Sequence, residues 1–260
     1  MLQQQGRRSA RPASSRLTVS LAKSRADVRE AQRLRYAVFG DELGARLHGP
    51  EPGVDEDRFD AHAHHLLVRD EASGEVVGTY RILDPEGARA AGGLYSAGEF
   101  DLDRLAHLAP RLVEVGRSCI HPDYRRGAAI SLLWSGIGAF VRAGGYEYLA
   151  GCASMGMADG GQLARAVYRS IGARHLAPRD YRVFPRCPLP PHPLPLRAEP
   201  LIPPLVKGYL RVGAYVCGEP AWDPRFNTAD LFVLLPMARA DPRYLRHYSP
   251  RGESEALASA

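Results

Sequence analysis

The chain has 260 residues, of which 45% are hydrophobic, and its formal net charge is +5. This length and composition are typical of a globular protein that buries a sizeable core. Four of the five net positive charges come from Arg7, Arg8, Arg11 and Arg16, so the rest of the chain is nearly neutral. The charge therefore gives no indication of nucleic-acid binding, and no run of eighteen uninterrupted apolar residues suggests a membrane span.

The two ends of the chain differ in composition from the rest. Residues 1–16 form a basic arm without the apolar stretch of a secretory signal, and we expect this arm to be disordered. Residues 251–260 are interpreted as a loose tail. Between these ends, residues 17–250 are predicted to form a single domain that contains a proline-rich connector at residues 185–204.

The four cysteines, Cys119, Cys152, Cys187 and Cys217, lie far apart in the sequence. No two of them have the spacing of a zinc site or of a redox-active pair. We therefore expect buried free thiols in a reducing cytoplasm. A metal site and a bound cofactor are not expected.

Patterns typical of strands and of helices alternate along the chain. Strands are predicted at residues 17–22, 65–69, 76–83, 112–120, 146–153, 181–184 and 231–235. Helices are predicted at residues 24–40, 102–108, 128–141, 162–171 and 205–216, and a loop at residues 88–98. An early antiparallel hairpin followed by this alternation predicts an α/β protein with a mixed central sheet flanked by helices.

A strand, a turn of small and basic residues, and a helix start follow one another at residues 112–134. The helix is predicted to begin at Ala128, where free backbone N–H groups and the helix dipole favour an anion. Arg125, Arg126 and Gly127 are the candidates for contacting a phosphate, because guanidinium groups match its geometry. The segment therefore predicts a binding site for a phosphorylated carrier.

This strand, turn and helix resemble motif A of the GNAT acyltransferase superfamily. Four further spaced motifs resemble the branch of that superfamily that contains the acyl-homoserine-lactone synthases, which take acyl groups from acyl carrier protein. In chain order these motifs are Arg35 with Phe39, Asp57 with Asp60, Arg81, and Glu114 with Arg117. Residues 113–134 (VEVGRSCIHPDYRRGAAISLLW) and 202–236 most resemble the L-ornithine Nα-acyltransferases of ornithine-lipid synthesis.

The resemblance implies a GNAT-like acyltransferase fold. It also implies transfer of a 3-hydroxyacyl chain from the 4′-phosphopantetheine of acyl carrier protein to the α-amine of L-ornithine, which gives a lyso-ornithine lipid. Acyl carrier protein and L-ornithine are therefore the expected partners, the cytoplasm is the expected location, and a peripheral contact with the inner face of the membrane stays open. The alternatives are a lactone synthase, an enzyme that acylates another amino acid, and a non-enzymatic module that docks a carrier protein.

Two motif residues lie on the strand that leads into the turn. Glu114 is the candidate base, because an α-ammonium must lose a proton before its nitrogen attacks a thioester. A spacing of three places Glu114 and Arg117 on opposite faces of a regular strand, so both can face one site only if the strand is bulged, as GNAT strands are. The alternative is a structural ion pair on a solvent-exposed face. The resemblance also assigns Phe39 to the substrate site.

Five charged residues are candidates for holding the amino acid. Arg35, Arg81 and Arg117 are candidates for the carboxylate, because guanidinium groups bind carboxylates through two parallel hydrogen bonds. The resemblance makes Asp57 and Asp60 candidates for the δ-ammonium. The alternatives are an outward-pointing charge at Arg81 and a solvated acidic loop at the two aspartates.

Overall fold

The structure is a computed structural model, and it describes residues 16–47, 49–191 and 200–241. The parts of the sequence predictions that lie outside the described residues are the basic arm at 1–15, residues 192–199 of the connector, residues 242–250 of the predicted domain, and the tail at 251–260. The helices are α1 (Arg25–Arg35), α2 (Pro85–Ala90), α3 (Ala128–Ala143), α4 (Gln162–Ser170) and α5 (Pro204–Val212). The strands are β1 (Leu17–Leu21), β2 (His64–Asp70), β3 (Val76–Leu83), β4 (Phe100–Asp101), β5 (Leu112–Ile120), β6 (Tyr148–Gly156), β7 (Phe184–Pro185), β8 (Tyr215–Val216), β9 (Ala221–Asp223) and β10 (Thr228–Pro236).

Eight of these strands form one sheet, with the order β1-β2-β3-β5-β6-β10-β8 and with β9 paired to β10. The β5–β6 pair is parallel and the other pairs are antiparallel, so the predicted mixed sheet is confirmed. On one half of the sheet, Leu133 and Ile137 of α3 pack in one core cluster with Leu66 and Ile82. On the other half, α4 and α5 pack against β6 and β10.

The first helix begins where its sequence predicts. The Ser24 hydroxyl accepts the backbone N–H of Asp27, and the Asp27 carboxylate accepts the backbone N–H of Ser24, which completes a capping box. A π-helical segment, Tyr36–Glu42, continues α1 two residues beyond the predicted end at Gly40. Such segments are rare and are frequently found at functional sites.

Three predicted elements were wrong in type or extent. Residues 88–98 are not only loop, because α2 reaches into them and Tyr95–Gly98 is a 3₁₀ helix. Of the strand predicted at 181–184, only Phe184 is in a strand, the two-residue β7, and Tyr181 belongs to a 3₁₀ helix, Arg179–Tyr181. The helix predicted at 205–216 ends at Val212, because Gly213 adopts a φ of +103° and turns the chain into β8.

One expectation about the thiols also needs correction. Cys119 and Cys217 are buried as predicted, and Cys152 is half-buried. Cys187, however, is exposed, because it lies in a surface segment just after β7 and is not covered by the sheet.

Candidate active site

The parallel pairing of β5 and β6 ends at Glu114 and Ala150, although both strands continue. At this point the strands are close, since a Cβ atom on Gly151 would lie 2.3 Å from the backbone oxygen of Val115. Beyond it a cavity of about 250 Å³ is lined by residues of both strands. The charged residues that line it are Arg81, Glu99, Glu114, Arg117, Asp223 and Asp230.

A bulge in β5 brings two of these residues to the same cavity. The register between β3 and β5 shifts between Thr79 and Arg81, and Arg117 has a φ of +52°. Non-glycine residues with such a positive φ are uncommon, and they cluster at functional sites. The bulge allows Glu114 and Arg117 to line one cavity despite their spacing of three, as the sequence analysis required.

The Glu114 carboxylate is buried and held by the 3₁₀ segment that precedes β4. One oxygen accepts the backbone N–H of Tyr95 at 2.6 Å, and the other accepts the backbone N–H of Ser96 at 2.9 Å and the Ser96 hydroxyl. Burial raises the pKa of Glu114, although the hydrogen bonds from Ser96 and Tyr95 oppose this. The carboxylate is therefore fixed in position, and its proton affinity is increased.

Arg35 lies behind the cavity and has no exposed surface. Its Nε donates to Asp55 Oδ2 at 2.8 Å, and its two terminal nitrogens donate to the two Asp60 oxygens at 2.8 and 2.7 Å. Burial opposes ionisation of Asp60, but the Arg35 guanidinium, assisted by Arg81, outweighs this and holds the pKa of Asp60 well below its usual range. The single Arg35 guanidinium therefore bridges two buried aspartates and stabilises the ionised form of Asp60.

Two further arginines join this group from the cavity side. Arg81 Nη1 lies 2.6 Å from Asp57 Oδ1 and 2.9 Å from Asp60 Oδ1. Arg117 Nη2 lies 3.0 Å from Asp57 Oδ2, and its Nε lies 3.2 Å from Asp55 Oδ2. We call these residues the arginine–aspartate network: Arg35, Asp55, Asp57, Asp60, Arg81 and Arg117.

This placement departs from the roles expected from the sequence. Arg35 does not line the cavity, and its donors are already used by Asp55 and Asp60, so it is not placed to bind a substrate carboxylate. Asp57 and Asp60 are also outside the cavity lining, so they are not placed to hold a substrate ammonium. Their position instead fixes the two arginines that do line the cavity.

Aromatic rings hold the Arg117 side chain at the cavity wall. Its guanidinium carbon lies 4.6 Å from the ring centre of Tyr95 and 4.5 Å from that of Phe226. Phe39 of the π-helical segment contacts Phe226 edge-to-face at 5.8 Å between ring centres. Phe39 therefore lines the cavity, although Arg35, four residues earlier, does not.

A larger groove of about 620 Å³ adjoins the cavity. Both share Phe39, Leu43, Ser118 and Leu205 as lining residues, so the two spaces are neighbours. The groove is bounded by the π-helical segment, the end of β5, and parts of α3 and α5. It also contains Arg125, so it extends from the cavity to the turn before α3.

The turn before α3 has an open helix N-terminus. Gly127 is the N-cap residue with a φ of +100°, and no side chain caps the helix. Arg125 is already paired, because its terminal nitrogens each donate to a Glu42 oxygen at 2.6 Å and its Nε donates to the Ile120 carbonyl. Arg126 is exposed. To contact a phosphate as predicted, Arg125 would have to share or leave its carboxylate partner, Glu42.

Three carboxylates that the sequence analysis did not select meet on another side of the cavity. We call Glu99, Asp223 and Asp230 the acidic cluster, and their oxygens lie within 4.8 Å of one another. Burial and the neighbouring Asp230 raise the pKa of Glu99 to about 9. Burial likewise raises the pKa of Asp230. Such a group can hold a cation, although no metal site was expected from the sequence.

One signal in the sequence was available for this cluster. Asp230 stands in an apolar strand between Ala229 and Leu231, just as Arg81 and Glu114 stand in theirs. The strand predicted at residues 231–235 does not include Asp230. Glu99 has no comparable signal, because it directly follows the loop predicted at residues 88–98.

Comparisons with known proteins agree with the resemblance seen in the sequence. The Acetyltransferase (GNAT) domain family matches residues 34–135. An L-ornithine N(alpha)-acyltransferase of Brucella abortus (strain 2308) is 38% identical over 248 residues, which cover 89% of this chain and 88% of that protein. Another, from Rhizobium meliloti (strain 1021), is 36% identical over 251 residues, which cover 89% and 84%.

The chain belongs to the L-ornithine N(alpha)-acyltransferase family. This chain has the same fold as a CoA-dependent acyl-homoserine lactone synthase, with a TM-score of 0.52 and 16% sequence identity. The match covers 91% of each chain and confirms the predicted GNAT-like fold. Within residues 16–47, 49–191 and 200–241, no helix is long and apolar enough to cross a membrane.

Proposed function

We propose that this chain transfers a 3-hydroxyacyl group from the 4′-phosphopantetheine of acyl carrier protein to the α-amine of L-ornithine. The observation that carries the proposal is the cavity between β5 and β6, which presents Glu114 and Arg117 together beside a groove that ends at a helix N-terminus. A thioester that follows the groove would reach the carboxylate and the guanidinium at the cavity. Family membership supports ornithine as the acceptor.

The donor side of the proposal uses the groove and the turn before α3. The open N-terminus at Gly127 offers backbone donors to the phosphate of the pantetheine arm. Arg126 is exposed beside it, and Arg125 joins if it shares its contact with Glu42. These basic side chains also suit an acidic carrier protein, because opposite charges steer the encounter.

The acceptor side uses the cavity. Arg117 lines it and is held by Asp57 and by two aromatic rings, so its guanidinium is positioned to face the carboxylate of ornithine. Arg81 adds a second positive charge on the same side. Phe39 supplies an apolar wall at the junction with the groove.

The chemistry follows from these positions. Glu114 takes a proton from the α-ammonium, directly or through one water, and the freed nitrogen attacks the thioester carbon. The C–N bond forms, the C–S bond breaks, and the carrier thiol leaves with one of the remaining nitrogen protons. Its raised pKa makes Glu114 a better proton acceptor near neutral pH than an ordinary carboxylate.

Purified protein incubated with 3-hydroxyacyl carrier protein and ornithine tests the activity. We expect release of the carrier thiol that depends on ornithine, and a product with the mass of a 3-hydroxyacyl ornithine. Thiol release that depends on S-adenosylmethionine instead of ornithine, with an acyl-homoserine lactone as product, would indicate a lactone synthase. Release that depends only on a different amino acid would change the acceptor, and binding of the carrier without any release would leave a docking module.

The role of Glu114 has its own test. Glu114→Gln keeps the shape and most hydrogen bonds but cannot accept the proton, so we expect kcat to fall at least about tenfold. The matched control is Glu147→Gln, which changes an exposed glutamate paired with Arg111 and leaves kcat unchanged. If Glu114→Gln turns over like the parent enzyme, the assignment of the base is wrong.

A further inference from the structure

The acidic cluster has properties that the proposed reaction chemistry does not use. Asp230 is 3% exposed, and its Oδ1 atom has no hydrogen-bond partner. Glu99 Oε2 is also buried without a partner. Buried carboxylate oxygens are normally satisfied, because an unmet acceptor in a low-dielectric site is costly. Both residues line the cavity, so the unmet oxygens belong to a space that a ligand can enter.

The acidic cluster differs from the arginine–aspartate network in its balance of acidic and basic side chains. In that network three arginines match three aspartates. Among the described residues, no Lys, Arg or His side chain forms an ion pair with Glu99, Asp223 or Asp230. Asp223 is held in place by the backbone N–H groups of Arg225 at 2.7 Å and Phe226 at 3.2 Å. The carboxylates of the cluster therefore have no basic side chain as a partner within the described residues.

We propose that the acidic cluster binds the side-chain ammonium of the acceptor amino acid and so selects a cationic acceptor. This inference rests on the proposed function. It assigns the ammonium to the acidic cluster in place of Asp57 and Asp60, which are already paired with arginines of the arginine–aspartate network. Asp230 is on β10 and Arg117 on β5, with β6 between them, so the two charges lie apart along the cavity. Such a separation suits an amino acid with a carboxylate at one end and an ammonium at the other.

An ammonium fits the cluster for chemical reasons. It has three donors, and the cluster offers three carboxylates whose oxygens lie within 4.8 Å of one another. The cavity also has apolar walls at Phe39, Leu205 and Tyr209, which match a short methylene chain. A cation placed there offsets both the burial and the repulsion from Asp230 that raise the pKa of Glu99.

The test compares ornithine with norvaline, which has the same carbon chain but no side-chain amine. For the parent enzyme we expect kcat/KM to favour ornithine at least about a hundredfold, because a buried acidic site is left unneutralised by norvaline. In Asp230→Asn, and separately in Glu99→Gln, we expect the KM for ornithine to rise at least about tenfold. The reaction with norvaline should change less than about threefold. The preference for ornithine over norvaline, measured as the ratio of their kcat/KM values, is therefore largely lost in these variants.

Matched controls and binding data keep the result interpretable. Asp180→Asn and Glu75→Gln remove the same charges at exposed positions and should leave the ratio unchanged. Calorimetric titration of ornithine and norvaline measures acceptor binding without any acyl donor. If thiol release fails with every acceptor but ornithine still binds more tightly than norvaline in an Asp230-dependent way, the proposed function fails and this inference stands.

Two results would overturn the inference. One is an unchanged ratio of ornithine to norvaline, in both kinetics and binding, in folded Asp230→Asn and Glu99→Gln proteins. The other is loss of activity with EDTA that Mn²⁺ or Zn²⁺ restores in the parent but not in these variants, which would make the cluster a metal site.

Discussion

Two groups of buried carboxylates in this protein differ in their partners and in the direction of their pKa shifts. In the arginine–aspartate network each aspartate meets arginines, and the pKa of Asp60 is held well below its usual range. In the acidic cluster the carboxylates meet one another, and the pKa of Glu99 is raised to about 9. A buried carboxylate with a basic partner inside the protein therefore supports the structure, whereas a buried carboxylate without one is available to a ligand.

The largest expected effect comes from breaking the network at its centre. Arg35→Met should lower the free energy of unfolding by about 3–5 kcal/mol, because it leaves Asp55 and Asp60 buried without their main partner. Urea denaturation measures this loss. The control Arg111→Gln removes an exposed pair with Glu147 and should cost less than about 1 kcal/mol. Equal losses in the two variants would show that the network is not the structural centre.

The second expected effect is a loss of stability in acid. Since the folded-state pKa of Asp60 lies below its ordinary value of 3.8, the unfolded chain takes up a proton first as the pH falls. The stability from Asp60 is therefore fully present above about pH 5 and decreases below it, by at most about 1.4 kcal/mol per pH unit. Denaturation curves between pH 5 and pH 2 check this, and the slope should be shallower in Asp60→Asn.

The third effect has the opposite sign. Burial and Asp230 raise the pKa of Glu99 to about 9 in the folded protein, from an ordinary value of 4.5, so unfolding becomes more favourable as the pH rises between these values. Glu99→Gln should remove this trend, and the variant should be more stable than the parent at pH 8 while it binds ornithine more weakly. A variant that is less stable at pH 8 would contradict the contrast between the two regions.

Most of the fold could be predicted from local sequence patterns. The Ser24 cap, the hairpin of β2 and β3, and the strand, turn and helix of residues 112–134 depend on neighbours in the sequence, and the structure has all of them. The helix predicted at 205–216 is too long, because Gly213 in the left-handed conformation ends it at Val212. The site was harder, because its ion pairs join residues far apart in the chain.

Asp55 and the acidic cluster show why the site was incomplete. Asp55 stands in an acidic run where composition alone does not distinguish it from Asp57 or Asp60. Glu99 and Asp230 are 131 residues apart and meet only because β10 pairs with β6 and so reaches the cavity. A sequence identifies a charge in an unusual place, but the partner that neutralises it, or its absence, is a property of the fold.

The position of the acyl group on the product tests the account most directly. Purified enzyme, 3-hydroxyacyl carrier protein and ornithine give a product whose fragmentation in a mass spectrometer shows which nitrogen is acylated. We predict a single 3-hydroxyacyl group on the α-nitrogen and a free δ-amine, because the δ-ammonium is held at Glu99, Asp223 and Asp230, away from the thioester. Acylation of the δ-nitrogen, or no acylated ornithine at all, would contradict the account.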